Sequence, residues 1–289
     1  MDTARRIPTE VPSPAPADGE VRRARAVVER LRARFHGHCA ERGRPFITLS
    51  YAQSLDGCIA ACRGRPLALS GPDALVLTHR LRAVHDVIVI GIGTLLSDDP
   101  RLTVRHVEGR SPRPVVLDSR LRTPTSARLL SHPNHGPVIA TTNASDARRQ
   151  AELEAAGARV VRLASDRRGW VSLVALGEWL YAEGARSVMV EGGAEVITSY
   201  LRQRHVDQLL LTVASMIVGG VRAVGPLATA GDGHGMTPGQ EEWAPRLAEM
   251  EDLSVVTDAI GESQGYRLLK NYDALINLGI KCWQYHFEF

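Results

Sequence analysis

From residue 45 onward, short apolar runs alternate with amphipathic stretches. Val87-Ile88-Val89-Ile90 is too short for a helix and rich in β-branched residues, which predicts a strand covered on both faces. Phe46-Ile47-Thr48-Leu49-Ser50-Tyr51-Ala52, Val115-Val116-Leu117, Val138-Ile139-Ala140, Val160-Val161, Val188-Met189-Val190 and Leu209-Leu210-Leu211 repeat the signal. Between them, helices are predicted over about 70–84, 145–156, 172–183 and 194–204. Ser70-Gly71-Pro72-Asp73 carries the start of the first, with Ser70 as its cap, and His79, Arg80 and Arg82 serve as cations near its end. Strands alternating with helices from 45 to 213 predict an α/β domain with a largely parallel sheet. Beyond Gly219-Gly220 comes a glycine-rich stretch. Three late strands, 253–257, 265–269 and 281–287, are then expected to be antiparallel.

The front of the chain differs. Residues 1–19 are rich in proline and alanine and predict a disordered tail. In 20–44, Val21, Ala24, Val28, Leu31 and Phe35 recur at helical steps with arginines opposite, which predicts a basic amphipathic helical extension. Docking on the domain or on a partner subunit suits it better than contact with RNA or membrane, since no aromatic residues interleave its arginines. The main domain is therefore expected to span 45–289.

Composition narrows the function classes. A net charge of +3 over 289 residues gives no basic surface of the kind nucleic acid requires. No apolar run approaches the ~20 residues of a membrane span, and the N-terminus has no signal-like apolar region. The spacing of Cys39, Cys58, Cys62 and Cys282 fits no zinc pattern, and His36, His38 and Cys39 lack a fourth ligand nearby. A reduced, cytoplasmic protein without a metal is expected.

Ligands of open parallel sheets bind at the carboxyl ends of the strands. Here those ends carry Ala52, Ser54 and Asp56; Gly91, Gly93 and Thr94; Asp118 and Ser119; and Glu191, Gly192 and Gly193. In the stretch Val87–Arg105, glycines close the strand, Thr94 reads as a helix N-cap, and Asp98-Asp99-Pro100 ends the short helix. Gly91-Ile92-Gly93-Thr94 and Gly192-Gly193-Ala194 both precede a helix start, where phosphate oxygens bind well, although glycines that merely turn the chain would look the same. Neither matches the GxGxxG fingerprint.

Taken in order, Ser54-Leu55-Asp56-Gly57, Leu81-Arg82-Ala83, the long Gly91-to-Arg105 element with its DDPRLTVR ending, Val116-Leu117-Asp118-Ser119 and Val190-Glu191-Gly192-Gly193 resemble the reductase family of riboflavin biosynthesis. The chain lacks the HxE and PCxxC deaminase signature, so it is similar to the stand-alone kind. The resemblance implies a dihydrofolate-reductase-like fold: a mixed, mostly parallel central sheet flanked by helices, with late antiparallel strands. It also implies NADPH-dependent reduction of a phosphoribosylamino-pyrimidine, with hydride going to C1′ to give the ribityl product, and a homodimer. Under it, Ser70, Arg82, Leu102 and Arg105 bind substrate, and Glu191 binds it and moves a proton. Ala52, Thr94 and Asp98 face the nicotinamide end of NADPH. Gly192, Gly193, Ala194 and Glu195 take the pyrophosphate, and Ser119 with Arg120 or Arg122 reads a 2′-phosphate. The alternatives are a related NADPH reductase acting on another aminopyrimidine or a pterin, and a non-catalytic NADPH-binding protein. Ser50 stands where bacterial members carry Lys, Cys58 where a basic residue is common, and Ser215-Met216 where Pro-Lys is usual.

Overall fold

A computed structural model describes residues 33–227 and 252–258. Helix α1 covers 33–42. Then follow β1 (Phe46–Ser54), β2 (Cys58–Ala60), α2 (Pro72–Val84), β3 (Val87–Gly91), α3 (Ile92–Asp98) and β4 (Arg113–Leu117). After a 3-10 turn at Arg128–Ser131 come β5 (Val138–Thr142), α4 (Ala147–Ala155), β6 (Arg159–Leu163), α5 (Leu173–Ala182), β7 (Ser187–Val190) and α6 (Ala194–Arg202). The last elements are β8 (Gln208–Ala214), β9 (Val221–Arg222) and β10 (Asp252–Asp258).

Eight strands form one sheet in the order β10-β8-β1-β7-β3-β4-β5-β6, and every pairing in it is parallel. From β3 the chain steps outward through β4, β5 and β6. It then returns to insert β7 between β1 and β3, and continues to β8 on the far side of β1. This reversal is a topological switch point, where strand ends diverge and leave a crevice.

The continuous apolar runs are explained by burial on both faces. Val87 and Val89 of β3 join one core layer with Leu49, Val115, Val190, Leu176, Leu180 and Ile197, covered by α5 and α6. Ile88 and Ile90 join the other with Val116, Ile139, Leu129 and Leu153, on the side of α3 and α4. Fully burying one such aliphatic side chain contributes about 1.5–3 kcal/mol, so both layers resist dissection. Ser172 caps α5 by accepting from the Ala175 N–H, and Asp146 caps α4 by accepting from Arg148.

Several expectations need correction. The late stretch 253–257 is not antiparallel: within β10, Leu253 to Thr257 pair parallel with β8. The stretches 265–269 and 281–287 lie outside the described residues, as do 1–32. Ser70 does not cap α2, whose N-cap is Gly71, and Thr94 lies inside α3, whose N-cap is Gly91. The small antiparallel pair of β2 with β9 had no signal in the pattern, since each is only two or three residues long. The described part of the N-terminal helix docks on the domain. Phe35 is buried against Phe46 and His85, with ring centroids 5.2 and 5.1 Å away, and the Cys39 thiol donates to the Arg186 carbonyl.

Candidate active site

A cleft of about 890 Å³ opens at the carboxyl ends of the central strands. Of the residues singled out by sequence, Ala52, Ser70, Arg82, Thr94, Asp98, Ser119, Arg122, Glu191, Gly192, Gly193, Ala194 and Glu195 line it, together with Ser50 and Arg120. Leu102 and Arg105 do not. The Leu102 side chain is 2% exposed and belongs to the core layer around Ile88 and Ile90. Its left-handed backbone (φ 54°) turns the chain after Pro100 and directs the apolar side chain inward.

Glu191 directly follows β7, and its N–H donates to the Val89 carbonyl (2.9 Å), which carries the sheet pattern one residue further. Its carboxylate meets Arg82, from the last turn of α2, in a bidentate pair: Nε to Oε1 is 2.7 Å and Nη2 to Oε2 is 2.6 Å. The two side chains are only 12% and 16% exposed. Burial works to lower the Arg82 pKa, but the Glu191 carboxylate outweighs it and holds the guanidinium above its ordinary value. The remaining arm, Nη1, donates to the Thr103 carbonyl (3.2 Å).

Thr103 also joins the second arginine, because its hydroxyl accepts from Arg105 Nη1 (2.9 Å). The Arg105 N–H donates to His79 Nδ1 (2.9 Å). Burial, followed by the charges of Arg82, Arg101 and Arg128, lowers the pKa of Arg105, as expected for one member of a cationic group. His79 corrects another expectation. It is not a solvated cation at a helix end but is buried, edge-on to His106, with a pKa pushed down to about 4 by burial and then by the charges of Arg82, His106 and Arg105. Its lone pair at Nδ1 holds the turn that carries Arg105. A single histidine among helix cations carries no sequence signal for such a role.

Glycines at two strand ends admit α6. A Cβ on Gly91 would lie 2.7 Å from Val196 Cγ2, and one on Gly192 would lie 2.5 Å from both Cβ and Cγ1 of Val196. Their absence lets the first turn of α6 reach the strand ends. That helix starts at the Gly193 N-cap with no side-chain cap, so its first main-chain N–H groups are free of side-chain acceptors beside the cleft. This donor set suits an anion such as a pyrophosphate.

Ser54 and Asp56 lie outside the cleft. Asp56 accepts from the Ser54 hydroxyl (2.5 Å) and the N–H groups of Val218 (3.0 Å) and Gly219 (2.7 Å), which hold its carboxyl well below the usual carboxylate range. The pair clasps the 215–220 loop to the turn after β1. On the opposite wall, Asp118 is buried and accepts from the Thr123 N–H and hydroxyl (2.7 and 2.8 Å), with Arg122 Nε at 3.8 Å from its other oxygen. The Ser119 hydroxyl accepts from the Val171 N–H (3.0 Å). Arg63, Arg65 and Trp170 also line the cleft. Sequence reasoning passed over them because each sits in a polar loop with no periodic neighbours.

Residues 45–237 match the RibD C-terminal domain family. A 2,5-diamino-6-ribosylamino-4(3H)-pyrimidinone 5′-phosphate reductase of Methanothermobacter thermautotrophicus is 40% identical over 181 residues, covering 61% of this chain and 81% of the relative. Among solved structures, a riboflavin biosynthesis reductase of Saccharomyces cerevisiae matches with a TM-score of 0.53 at 32% identity, covering 64% of this chain and 80% of that one. A RibD of Acinetobacter baumannii matches in fold with a TM-score of 0.57 at 24% identity; the match covers 65% of this chain and 52% of that protein.

Proposed function

The chain belongs to the RibD C-terminal domain family, and from that premise we propose that it is the reductase acting on 2,5-diamino-6-ribosylamino-4(3H)-pyrimidinone 5′-phosphate in riboflavin biosynthesis. Reductases of this family use a nicotinamide cofactor, and NADPH rather than NADH is our reading. The observation that carries the proposal is the cleft itself. It brings Arg82 and Glu191, from segments 109 residues apart, into one bidentate pair at the strand ends. Its rim carries Arg120 and Arg122 beside Ser119, a cationic corner that suits the extra phosphate of NADPH.

The dinucleotide fits the residues present. The uncapped first turn of α6, at Gly193, Ala194 and Glu195, would bind the pyrophosphate through main-chain N–H groups, since the Glu195 carboxylate would repel it. Thr94 and Asp98 would orient the nicotinamide ribose, and Ala52 leaves room for the ring. When bound, the nicotinamide supplies the hydride for C1′ of the substrate. Arg82 would hold the 5′-phosphate from the cleft wall with Ser70 alongside, and Arg105, outside the wall and joined to it through Thr103, would add its positive charge from behind. Glu191 would then exchange part of its bond to Arg82 for the substrate and hold or move the proton at the ribosylamino group. A cytoplasmic homodimer is part of the same reading.

The test is consumption of NADPH by purified protein supplied with the diaminopyrimidinone phosphate or its deaminated uracil counterpart. Turnover is expected with the diamino compound, and more slowly with the uracil. Failure with both, in protein that binds NADPH, overturns the assignment.

A further inference from the structure

Trp170 is held in the open. It is 36% exposed on the cleft wall, whereas Trp179 packs against the core layer beneath α5. An indole with about a third of its surface in water forgoes part of its burial free energy, so the backbone that holds it there is informative. Residues 166–170 close on themselves. Asp166 Oδ1 accepts from the N–H groups of Arg168 and Trp170, both at 2.9 Å, and the Asp166 N–H donates to the Trp170 carbonyl at 2.7 Å. Gly169 supplies the left-handed residue that this turn needs (φ 75°). Ser165 and Val171 form a bridge below it, and the Val171 N–H is tied to the Ser119 hydroxyl at 3.0 Å.

The ring is therefore preorganised and fastened to the loop bearing Ser119, Arg120 and Arg122. The Arg168 guanidinium lies over the ring, 5.3 Å from its centroid, and Arg168 is not itself part of the cleft wall. One face of the indole is thus covered by a guanidinium from outside the cleft, while the residue itself lines the cleft. Of the aromatic residues on the cleft wall, Tyr51 lies within β1 and packs against the core, and burial raises its phenol pKa. Trp170 is the aromatic at the rim.

We propose that Trp170 is the stacking platform for the purine base of a 2′-phosphorylated adenine dinucleotide. The ribose that carries the 2′-phosphate also carries the base. A phosphate at Arg120 or Arg122 therefore leaves the base within reach of the neighbouring indole. Stacking on one rigid aromatic face binds a flat base at little conformational cost. This inference rests on the dinucleotide reading above but not on the identity of the pyrimidine.

The experiment is calorimetric titration of the full-length protein with 2′,5′-ADP, NADP⁺ and reduced nicotinamide mononucleotide. Trp170→Leu should weaken 2′,5′-ADP and NADP⁺ by a similar factor, about tenfold. The mononucleotide should bind as before, and Trp170→Phe should keep most of the affinity. Unchanged 2′,5′-ADP affinity in Trp170→Leu overturns the inference, as does an equal loss for the mononucleotide, or no binding of 2′,5′-ADP by the unaltered protein. If no pyrimidine is turned over while these shifts appear, the substrate assignment fails and the adenine platform stands.

Discussion

Arg82 and Glu191 bind each other before either meets a ligand. Each has a plain reading alone, as a helix-end cation and a surface acid, and the sequence brings them to one site only through the family resemblance, without pairing them. In the fold they form a nearly buried ion pair, and such a pair is worth less than the damage done by removing one half. Arg82→Met should strand the Glu191 carboxylate and destabilise the protein by about 3 kcal/mol, the low end for a buried pair because both side chains keep some exposure. Adding Glu191→Met should recover most of that loss. Urea denaturation of the two variants checks this, and a double variant as unstable as the single would mean that Glu191 does not depend on Arg82 for its charge. Leu102 shows the reverse case. It was legible as part of the DDPRLTVR element, but only the backbone turn at this position decides that its side chain goes into the core.

At the scale of elements, the glycines of the two strand ends looked like room for a ligand. Much of that room is taken by Val196 of α6. The packing makes a contrast that can be measured. Gly91→Ala should cost about 1–3 kcal/mol through overpacking, and Val196→Ala should relieve it, because the clash is with Cγ2. Gly192→Ala should cost as much but gain little from Val196→Ala, because there the Cβ itself is only 2.5 Å away. Thermal unfolding of the three single and two double variants distinguishes these outcomes, and equal rescue at both sites would show that α6 moves as a body. The strands and helices were legible because burial on both faces writes continuous apolar runs. The caps were less so: Ser70 and Thr94 have the right chemistry for a cap, yet Gly71 and Gly91 occupy those positions, because α2 begins at Pro72 and α3 begins directly at the end of β3.

The whole molecule stores a pH dependence in its buried histidines. His85 is enclosed between α1, α2 and β1. Its Nδ1 donates to the Leu81 carbonyl (2.7 Å), and its Nε2 accepts from the Thr48 hydroxyl (2.8 Å). Burial pushes its pKa down to about 4, and that of His79 likewise. The unfolded chain, with ordinary histidines, then binds more protons between pH 6.5 and 4, so stability is full above that window and falls as pH drops through it. His85 alone should account for about 3 kcal/mol. The urea midpoint should therefore fall between pH 7 and pH 4.5, and His85→Gln should flatten the slope. A midpoint that does not change over this interval would mean that these rings protonate freely in the folded protein.

The sequence by itself determined the α/β alternation, the two-sided burial of the strands, and an ordered set of polar residues and glycines at their carboxyl ends. These features follow from local periodicity and from residue chemistry read along the chain. Tertiary structure decided the strand order, with β7 placed between β1 and β3, and the parallel pairing of β10, because neither is encoded in the pattern of any one segment. It also decided which polar residues meet. Arg82 and Glu191 share one bond network with Thr103 and Arg105, while Ser54 and Asp56 are spent on holding a loop. The physical reason is the same throughout: burial and periodicity act within a segment, whereas charge pairing and close approach depend on distances that only the packed chain sets.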